Sequence, residues 1–168
     1  TVLQTERENI FSQFKSHMLG TIVSFDAATQ TASIEPYCLW ERAGQSGRYP
    51  TLYQVPVFVL QGGGGFISFP VKAGDTCLVC FNDRDIDLWW SNGTTSSVPQ
   101  SSRMHNIADG VAFVGFRSKP SVIQGYSTTD AVLTNNGGVI KVSDKIEISN
   151  ASESAQEIFS DFINILKD

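Results

Sequence analysis

The sequence predicts a mainly β protein in which a small closed β-barrel is flanked by a helix at each end. Two observations support this fold class. Between residues 20 and 116, short strand-like runs alternate with glycine-containing turns, which is typical of small barrels. The first and last segments instead space their apolar residues as helices do. With 168 residues, the chain can form one ordinary core, or one small core with an extended appendage.

The N-terminal segment, residues 1–19, is predicted to contain a short amphipathic helix over Glu6–Met18. Its apolar residues Ile10, Phe11, Phe14 and Met18 recur at helical spacing, with charged residues between them. Such a stripe needs another surface to cover it, and Gly20 is expected to end the helix.

Residues 20–120 are predicted to form the barrel. The turn at Asp26 is predicted to join the first two strands as a hairpin, and the Ala73–Asp75 turn to join the fourth and fifth. The polar stretch Glu41–Pro50 is expected to be an exposed loop. The predicted strands are Thr21–Phe25, Thr31–Glu35, Leu52–Leu60, Phe66–Phe69, Thr76–Phe81 and Val111–Val114.

Residues 121–151 have a different character. Ile140 and Val142, then Ile146 and Ile148, alternate with polar residues, and Asn136-Gly137 supplies a turn. We expect short strands without a third partner nearby in sequence. An isolated hairpin is marginal in water and its edges remain open, so pairing between chains is expected.

Residues 152–168 are predicted to form a C-terminal helix. Ser154 and Glu157 have capping-box spacing. Because a lone helix of this length is only marginally stable, its apolar side chains are expected to be buried by tertiary or intersubunit contact. Those side chains are Ile158, Phe159, Phe162, Ile163, Ile165 and Leu166.

Several patterns that resemble chemical sites are better explained structurally. Asp83, Asp85 and Asp87 open like a calcium loop, but Leu88 and Thr94 stand where an EF-hand needs Gly and Glu. We therefore expect the acids to begin a short helix, where they complement its dipole.

The cysteine and histidine residues also favour a protein without a metal or cofactor. In a strand, Cys77 and Cys80 would point to opposite faces and act as small buried hydrophobes, and no second pair completes a zinc site. His17 and His105 stand alone, and the odd cysteine count with Cys38 is typical of a reducing compartment.

Acidic and aromatic residues leave other functions open. Glu35, Glu41 and Asp75 could converge as a hydrolytic pair, although nothing singles them out. Trp89 and Trp90 are expected to be core and rim aromatics of the barrel, with stacking on bases or sugars as an alternative. The net charge of −5 argues against nucleic-acid binding. No apolar run approaches the roughly 20 residues of a membrane-spanning helix.

Several segments resemble, in order and spacing, the N-terminal domain of the membrane-puncturing central spike proteins of contractile-tailed bacteriophage baseplates. They begin with Gly20-Thr-Ile-Val-Ser-Phe-Asp and Val55-Pro-Val, continue with Pro70-Val-Lys-Ala-Gly-Asp and Asp83-Arg-Asp-Ile-Asp-Leu-Trp-Trp, and close with residues 103–116. The resemblance covers residues 20–120. It implies an OB-fold barrel, followed at 121–151 by a short intertwined trimeric β-helix.

The resemblance also implies a structural, non-enzymatic protein of the virion baseplate, assembled in the host cytoplasm. A homotrimer would attach to the tail hub protein and pierce the host outer membrane when the sheath contracts. Some relatives end in a His-x-His iron tip, which this chain lacks, so a separate tip protein is an open alternative. The expected trimer or tip interface comprises Ile140, Val142, Ile146, Ile148, Phe159, Phe162, Ile163 and Leu166.

Two alternatives remain from the sequence. One is an OB-fold module that binds single-stranded nucleic acid or glycan through its aromatic residues. The other is a tail-associated peptidoglycan hydrolase, although the chain has no room for a separate lysozyme-like domain.

Overall fold

The computed structural model describes residues 2–42, 44–150 and 153–165, and it divides the chain into two compact units, residues 1–118 and 119–168. The fold is mainly β with a few short helices, as predicted. Unit 1 contains α1 (Val2–Gln13), β1 (His17–Asp26), β2 (Thr31–Pro36), β3 (Leu39–Arg42), β4 (Gln45–Arg48), β5 (Leu52–Pro56), β6 (Leu60–Gly62), β7 (Gly65–Ile67), β8 (Thr76–Phe81), α2 (Asp87–Asn92) and β9 (Gly110–Val114). Unit 2 contains a 3₁₀ turn at Lys119–Ser121, β10 (Ala131–Asn135), β11 (Gly138–Val142), β12 (Ile146–Ser149) and α3 (Ala155–Ile165).

A five-stranded antiparallel sheet dominates unit 1, with strand order β5-β2-β1-β8-β9. The sheet curls into a half-barrel. Its two ends approach each other where Val57, just after β5, forms a parallel bridge with Ala112 of β9. The Phe58 amide donates to the Ala112 carbonyl across this junction (2.8 Å). The concave side is therefore almost enclosed by one sheet.

The core fills this concave side with alternate residues of each strand, as a curled sheet requires. Ile34, Cys77, Val79 and Ala112 are completely buried, and Ile22 nearly so. Fully burying an aliphatic side chain of this size stabilises a fold by roughly 1.5–3 kcal/mol. The same alternation directs the neighbouring residues of these strands to the outer face.

The N-terminal helix begins and ends earlier than predicted, at Val2–Gln13 instead of Glu6–Met18. α1 ends at Gln13, and β1 already begins at His17, so the prediction that Gly20 ends a helix is wrong. Gly20 is buried inside β1, where it pairs with Cys77 of β8. A strand is favoured over a helix at His17 and Met18 because both residues extend the backbone hydrogen-bond ladder to β8, and Met18 packs against the core.

Two predicted connections in unit 1 are also wrong. The polar stretch 41–50, predicted as a loop, contributes to the β3–β4 hairpin, where the Trp40 ring lies directly over Gly47. The predicted hairpin between residues 66–69 and 76–81 does not form, since β7 pairs with β6. Both edges of β8 are occupied, by β1 and β9, so no edge is left for β7.

Unit 2 is a three-stranded antiparallel meander with order β10-β11-β12, followed by α3. The expectation that the strands lack a third partner is therefore wrong, because Ala131–Asn135 supplies it. Asn136 and Gly137 form the first turn with φ values of 49° and 90°, which suits the twist of a tight hairpin. The predicted capping box is confirmed: the Glu157 amide donates to Ser154 Oγ (3.2 Å), and the Ser154 amide donates to Glu157 Oε2 (2.8 Å).

Candidate assembly surface

One face of the unit 2 sheet carries two complete apolar rows that cross all three strands. The register aligns Leu133, Ile140 and Ile148 in one cross-strand row, and Ala131, Val142 and Ile146 in the next. Cross-strand neighbours point to the same side of a sheet. These six residues are called the apolar face below.

The opposite face of this sheet is mixed and largely polar. Its first row contains Val132, Lys141 and Glu147, and its second contains Thr134, Val139 and Ser149. The sheet is thus clearly two-sided, with Lys141 and Glu147 adjacent as opposite charges.

The apolar face is not covered within the described part of the chain. Ile140, on the central strand, is still 39 % exposed, and Ile146 on the edge strand is 71 % exposed. This exposure persists with α3 present in the same unit. A contiguous apolar patch of this kind on a small unit usually marks an interaction surface.

α3 adds exposed apolar side chains to the same unit. Ile158, Phe159 and Ile163 are each at least half exposed. Of the eight interface residues proposed from sequence, six are described with their side chains, and all six are exposed. The side chain of Phe162 and the whole of Leu166 lie outside the described residues.

Unit 1 contains an ion-pair cluster that the sequence reasoning missed. Asp85, Asp87 and Asp109 bring carboxylate oxygens within 4.8 Å of one another. The Arg103 guanidinium lies among them: Nε donates to Asp109 Oδ2 (3.1 Å), and Nη2 donates to Asp109 Oδ1 and Asp87 Oδ2 (2.9 Å each). Arg103 thus supplies the positive charge that a metal ion would otherwise bring.

The pKa values in this cluster shift as an ion-pair network predicts. The Ser101 hydroxyl, the Asp87 amide and the charge of Arg103 lower the pKa of Asp85. Hydrogen bonds to Asp109 and Asp87 raise the pKa of Arg103. The expected short helix is present as α2, but of the three acids only Asp87 lies in its first turn, and Asp83 and Asp85 precede the helix. The signal in the sequence is the basic residue Arg103, which lies 16 to 20 positions after Asp83, Asp85 and Asp87.

The cysteines lie on opposite faces of β8, as predicted. Cys77 is completely buried and its thiol donates to the Gly20 carbonyl (3.6 Å), while Cys80 is half-buried. Burial raises the pKa of Cys77 to about 11. A thiol held protonated in this way behaves as a core side chain rather than as a nucleophile or a metal ligand.

His105 and two of the three proposed carboxylates, Glu35 and Asp75, have local structural contacts. The His105 ring contacts the Phe14 ring at a tilt of 40°, with 3.8 Å between ring centroids, and its Nε2 lies 3.0 Å from Asp83 Oδ1. Glu35 forms an ion pair with Arg48. Asp75 accepts the Lys72 amide (2.8 Å) in the turn before β8.

The prediction that Trp89 and Trp90 are core and rim aromatics is only half right. Both belong to α2 and are 49 % and 43 % exposed, so neither is a core residue. The helix is only six residues long and buries none of its residues, which leaves both indoles at the surface.

The described helices include none with the length and apolarity needed to cross a membrane. The fold and the exposed apolar surface together define a β-rich protein with a candidate assembly surface in its C-terminal unit. Residues 18–115 match the family described as the phage protein Gp138 N-terminal domain. Because this match spans more than half of the chain, the chain belongs to that family.

Family membership makes this a phage protein and indicates a structural role in the virion. The matched region lies wholly within unit 1, from the second residue of β1 to the residue after β9. No curated protein matches the chain.

Proposed function

We propose that this protein is the central spike of a contractile phage tail baseplate and that it works as a homotrimer. Three copies of unit 2 would form a short trimeric β-structure, while unit 1 would attach to the tail hub protein. The observation that carries this proposal is the apolar face of the unit 2 sheet. A phage structural protein that leaves such a face exposed requires a partner to cover it.

A threefold arrangement covers the apolar face economically. Three sheets that turn this face towards a common axis would bury two layers of side chains, one from each cross-strand row. The edge strands β10 and β12 would then be available to pair with neighbouring copies, which removes exposed strand edges. Full burial contributes roughly 1.5–3 kcal/mol for each aliphatic side chain that is moved out of water.

The connectivity of unit 1 supports an OB-type barrel. β1 pairs with both β2 and β8, and the end of β5 meets β9 in parallel through Val57 and Ala112. A five-stranded, partly open barrel with these pairings is the arrangement of the OB fold. On the strength of the resemblance to spike proteins, we propose that this domain would attach to the tail hub.

The proposed mechanism is mechanical and needs no catalysis. Sheath contraction would supply the force, and the trimer would transmit it to the host outer membrane. Strands paired between chains resist separation because many backbone hydrogen bonds must break together. Ile158, Phe159 and Ile163 on α3 would either close the trimer or receive a separate tip protein.

The trimer is tested by light scattering coupled to size-exclusion chromatography. We expect a threefold mass that persists on dilution. Ile148→Asp places a carboxylate on the apolar face and should dissociate the trimer, because an unpaired buried charge is strongly unfavourable. Thr134→Asp is the matched control, since it adds the same charge to an edge strand on the opposite face.

A monomeric wild-type mass would contradict the proposal, as would equal effects of the two substitutions.

Location is tested separately by immunogold labelling of purified virions with an antibody to unit 1. Label at the end of the tail is expected, and label at the capsid would exclude a baseplate spike. Phe162→Asp tests whether α3 takes part in the trimer or in tip recruitment. Clearing of purified cell walls would favour the hydrolase alternative instead.

A further inference from the structure

A groove on the outer face of the unit 1 sheet combines aromatic and hydroxyl side chains. It has a volume of about 320 Å³ and is lined by residues of β1, β2, β5, α2 and the β1–β2 turn. Its lining includes Ser24, Asp26, Ser33, Tyr53, Gln54 and Trp90. The spike function proposed above uses neither the groove nor its two aromatic rings.

Two β-bulges converge at the groove. Val23 is an extra residue in β1 between the pairs made by Ile22 and Ser24, and Tyr53 and Gln54 together oppose the single residue Ser33. Gln54 has a φ of 54°, a left-handed conformation that is uncommon for a residue other than glycine. Bulges redirect side chains and are frequent beside binding sites, and backbone strain often persists where function requires it.

The exposed rings give the groove surfaces on which a flat ligand can stack. Tyr53 is 73 % exposed and Trp90 is 43 % exposed, and they come from different elements. Both have an apolar ring with a polar group at its edge, so they can contact the apolar face of a ligand and also form a hydrogen bond.

The polar side chains favour a ligand that is rich in hydroxyl groups and carries no negative charge. The Thr29 hydroxyl and the Ala28 amide lower the pKa of Asp26, which therefore remains an ionised acceptor at neutral pH. Each of its oxygens accepts one of these bonds and keeps a further lone pair. The lining side chains, all within the described residues, include one carboxylate and no cationic group.

We infer that this groove binds a neutral oligosaccharide, with a sugar ring against Tyr53 or Trp90 and sugar hydroxyls donating to Asp26. Single-stranded nucleic acid fits less well, because it needs cationic groups to neutralise its phosphates and the groove offers a carboxylate. The inference does not depend on the spike proposal, since the groove lies entirely in unit 1.

The test uses the full-length protein and a panel of neutral tetrasaccharides, namely chitotetraose, cellotetraose and maltotetraose. Binding is detected by saturation-transfer NMR and measured by titration calorimetry. We expect at least one of the three to bind and Tyr53→Ala to weaken that binding about tenfold, which corresponds to the loss of one aromatic contact. Tyr37→Ala is the matched control: Tyr37 is equally exposed at 78 % but does not line the groove.

Three results would overturn the inference. The first is no binding of any of the three tetrasaccharides, and the second is equal weakening by Tyr53→Ala and Tyr37→Ala. The third is tighter binding of an oligothymidylate of eight nucleotides that weakens with added salt, which would assign the groove to nucleic acid. The mass of each variant is measured in the same samples, so that a loss of trimer is separated from a loss of binding.

Discussion

Replacing Arg103 with methionine should strongly destabilise unit 1. Arg103 forms two hydrogen bonds with Asp109, whose side chain is completely buried. Methionine keeps much of the length of the side chain but removes the charge and the donors. Asp109 would then be left as a buried carboxylate without its cation.

The magnitude follows from the burial of Asp109. Breaking a buried pair by removing one partner typically costs about 3–5 kcal/mol. The Ile86 amide still donates to Asp109 Oδ1 (3.3 Å), so one contact of the carboxylate remains. We therefore expect the free energy of unfolding of unit 1 to fall by about 3 kcal/mol, the lower end of that range.

Urea denaturation followed by tryptophan fluorescence isolates this effect. All three tryptophans of the chain, Trp40, Trp89 and Trp90, lie in unit 1, so their emission reports this unit alone. Trp89 and Trp90 belong to α2, whose first residue Asp87 also pairs with Arg103. The variants are compared at one protein concentration, because assembly would otherwise change the apparent stability.

Arg84→Met is the matched control. Arg84 is 53 % exposed and its ion pair with Asp83 spans 3.6 Å. An exposed pair of this kind is worth about 0–1 kcal/mol, so the control should change stability little. The double substitution Arg103→Met with Asp109→Asn should recover part of the loss, since the unpaired charge is gone. Similar effects of Arg103→Met and Arg84→Met would refute the reasoning that the Arg103 cluster stabilises the fold.

Three further predictions concern the core, a thiol and a helix cap. Gly20→Ala should destabilise unit 1 by about 1–3 kcal/mol in the same urea assay, because the added Cβ would lie 2.5 Å from Ile34 Cγ2. In the control Gly62→Ala, the added Cβ has nothing within 4 Å, so the stability should hardly change. Equal effects of the two substitutions would contradict this packing. In native protein, iodoacetamide at pH 8 should alkylate the exposed Cys38 but spare Cys77, because burial raises the pKa of Cys77 to about 11. Peptide mass spectrometry measures the labelling of each cysteine, and early labelling of Cys77 would refute this prediction. Hydrogen bonds from the Ser154 amide and hydroxyl lower the pKa of Glu157, so the stability contributed by this cap is present above the ordinary glutamate pKa and is lost as the pH falls through the lowered value. Glu157→Gln should therefore reduce the helical circular dichroism signal at pH 7 and make little difference at pH 2, and a pH-independent difference would argue against the capping role.

The sequence allowed the local parts of this fold to be predicted because their signals are local. The Asp26 hairpin, the Asn136-Gly137 turn and the Ser154–Glu157 cap each depend on residues within a few positions of one another. Alternation in β8 also assigned Cys77 and Cys80 to opposite faces.

The errors arose where distant pairing decided the outcome. His17 and Met18 fit a helical pattern locally, yet β8 recruits them into a strand from more than 50 positions away. The partner of β7 likewise depends on both edges of β8 being filled. The Arg103 cluster unites Asp85 and Asp87, at the start of α2, with Arg103 and Asp109 from the segment before β9, and only the fold reveals that they meet.

The position of β1 at the centre of the sheet has a consequence for how unit 1 folds. Its pairs with β2 close a short hairpin, whereas its pairs with β8 must close a loop of about 50 residues, at an entropic cost greater by about 2 kcal/mol. During synthesis, the β1–β2 hairpin emerges first and exposes one edge of β1 until Thr76–Phe81 has left the ribosome. The slow step in maturation should therefore be the capture of β8 by β1, and a nascent chain shorter than about 80 residues should remain dependent on chaperones.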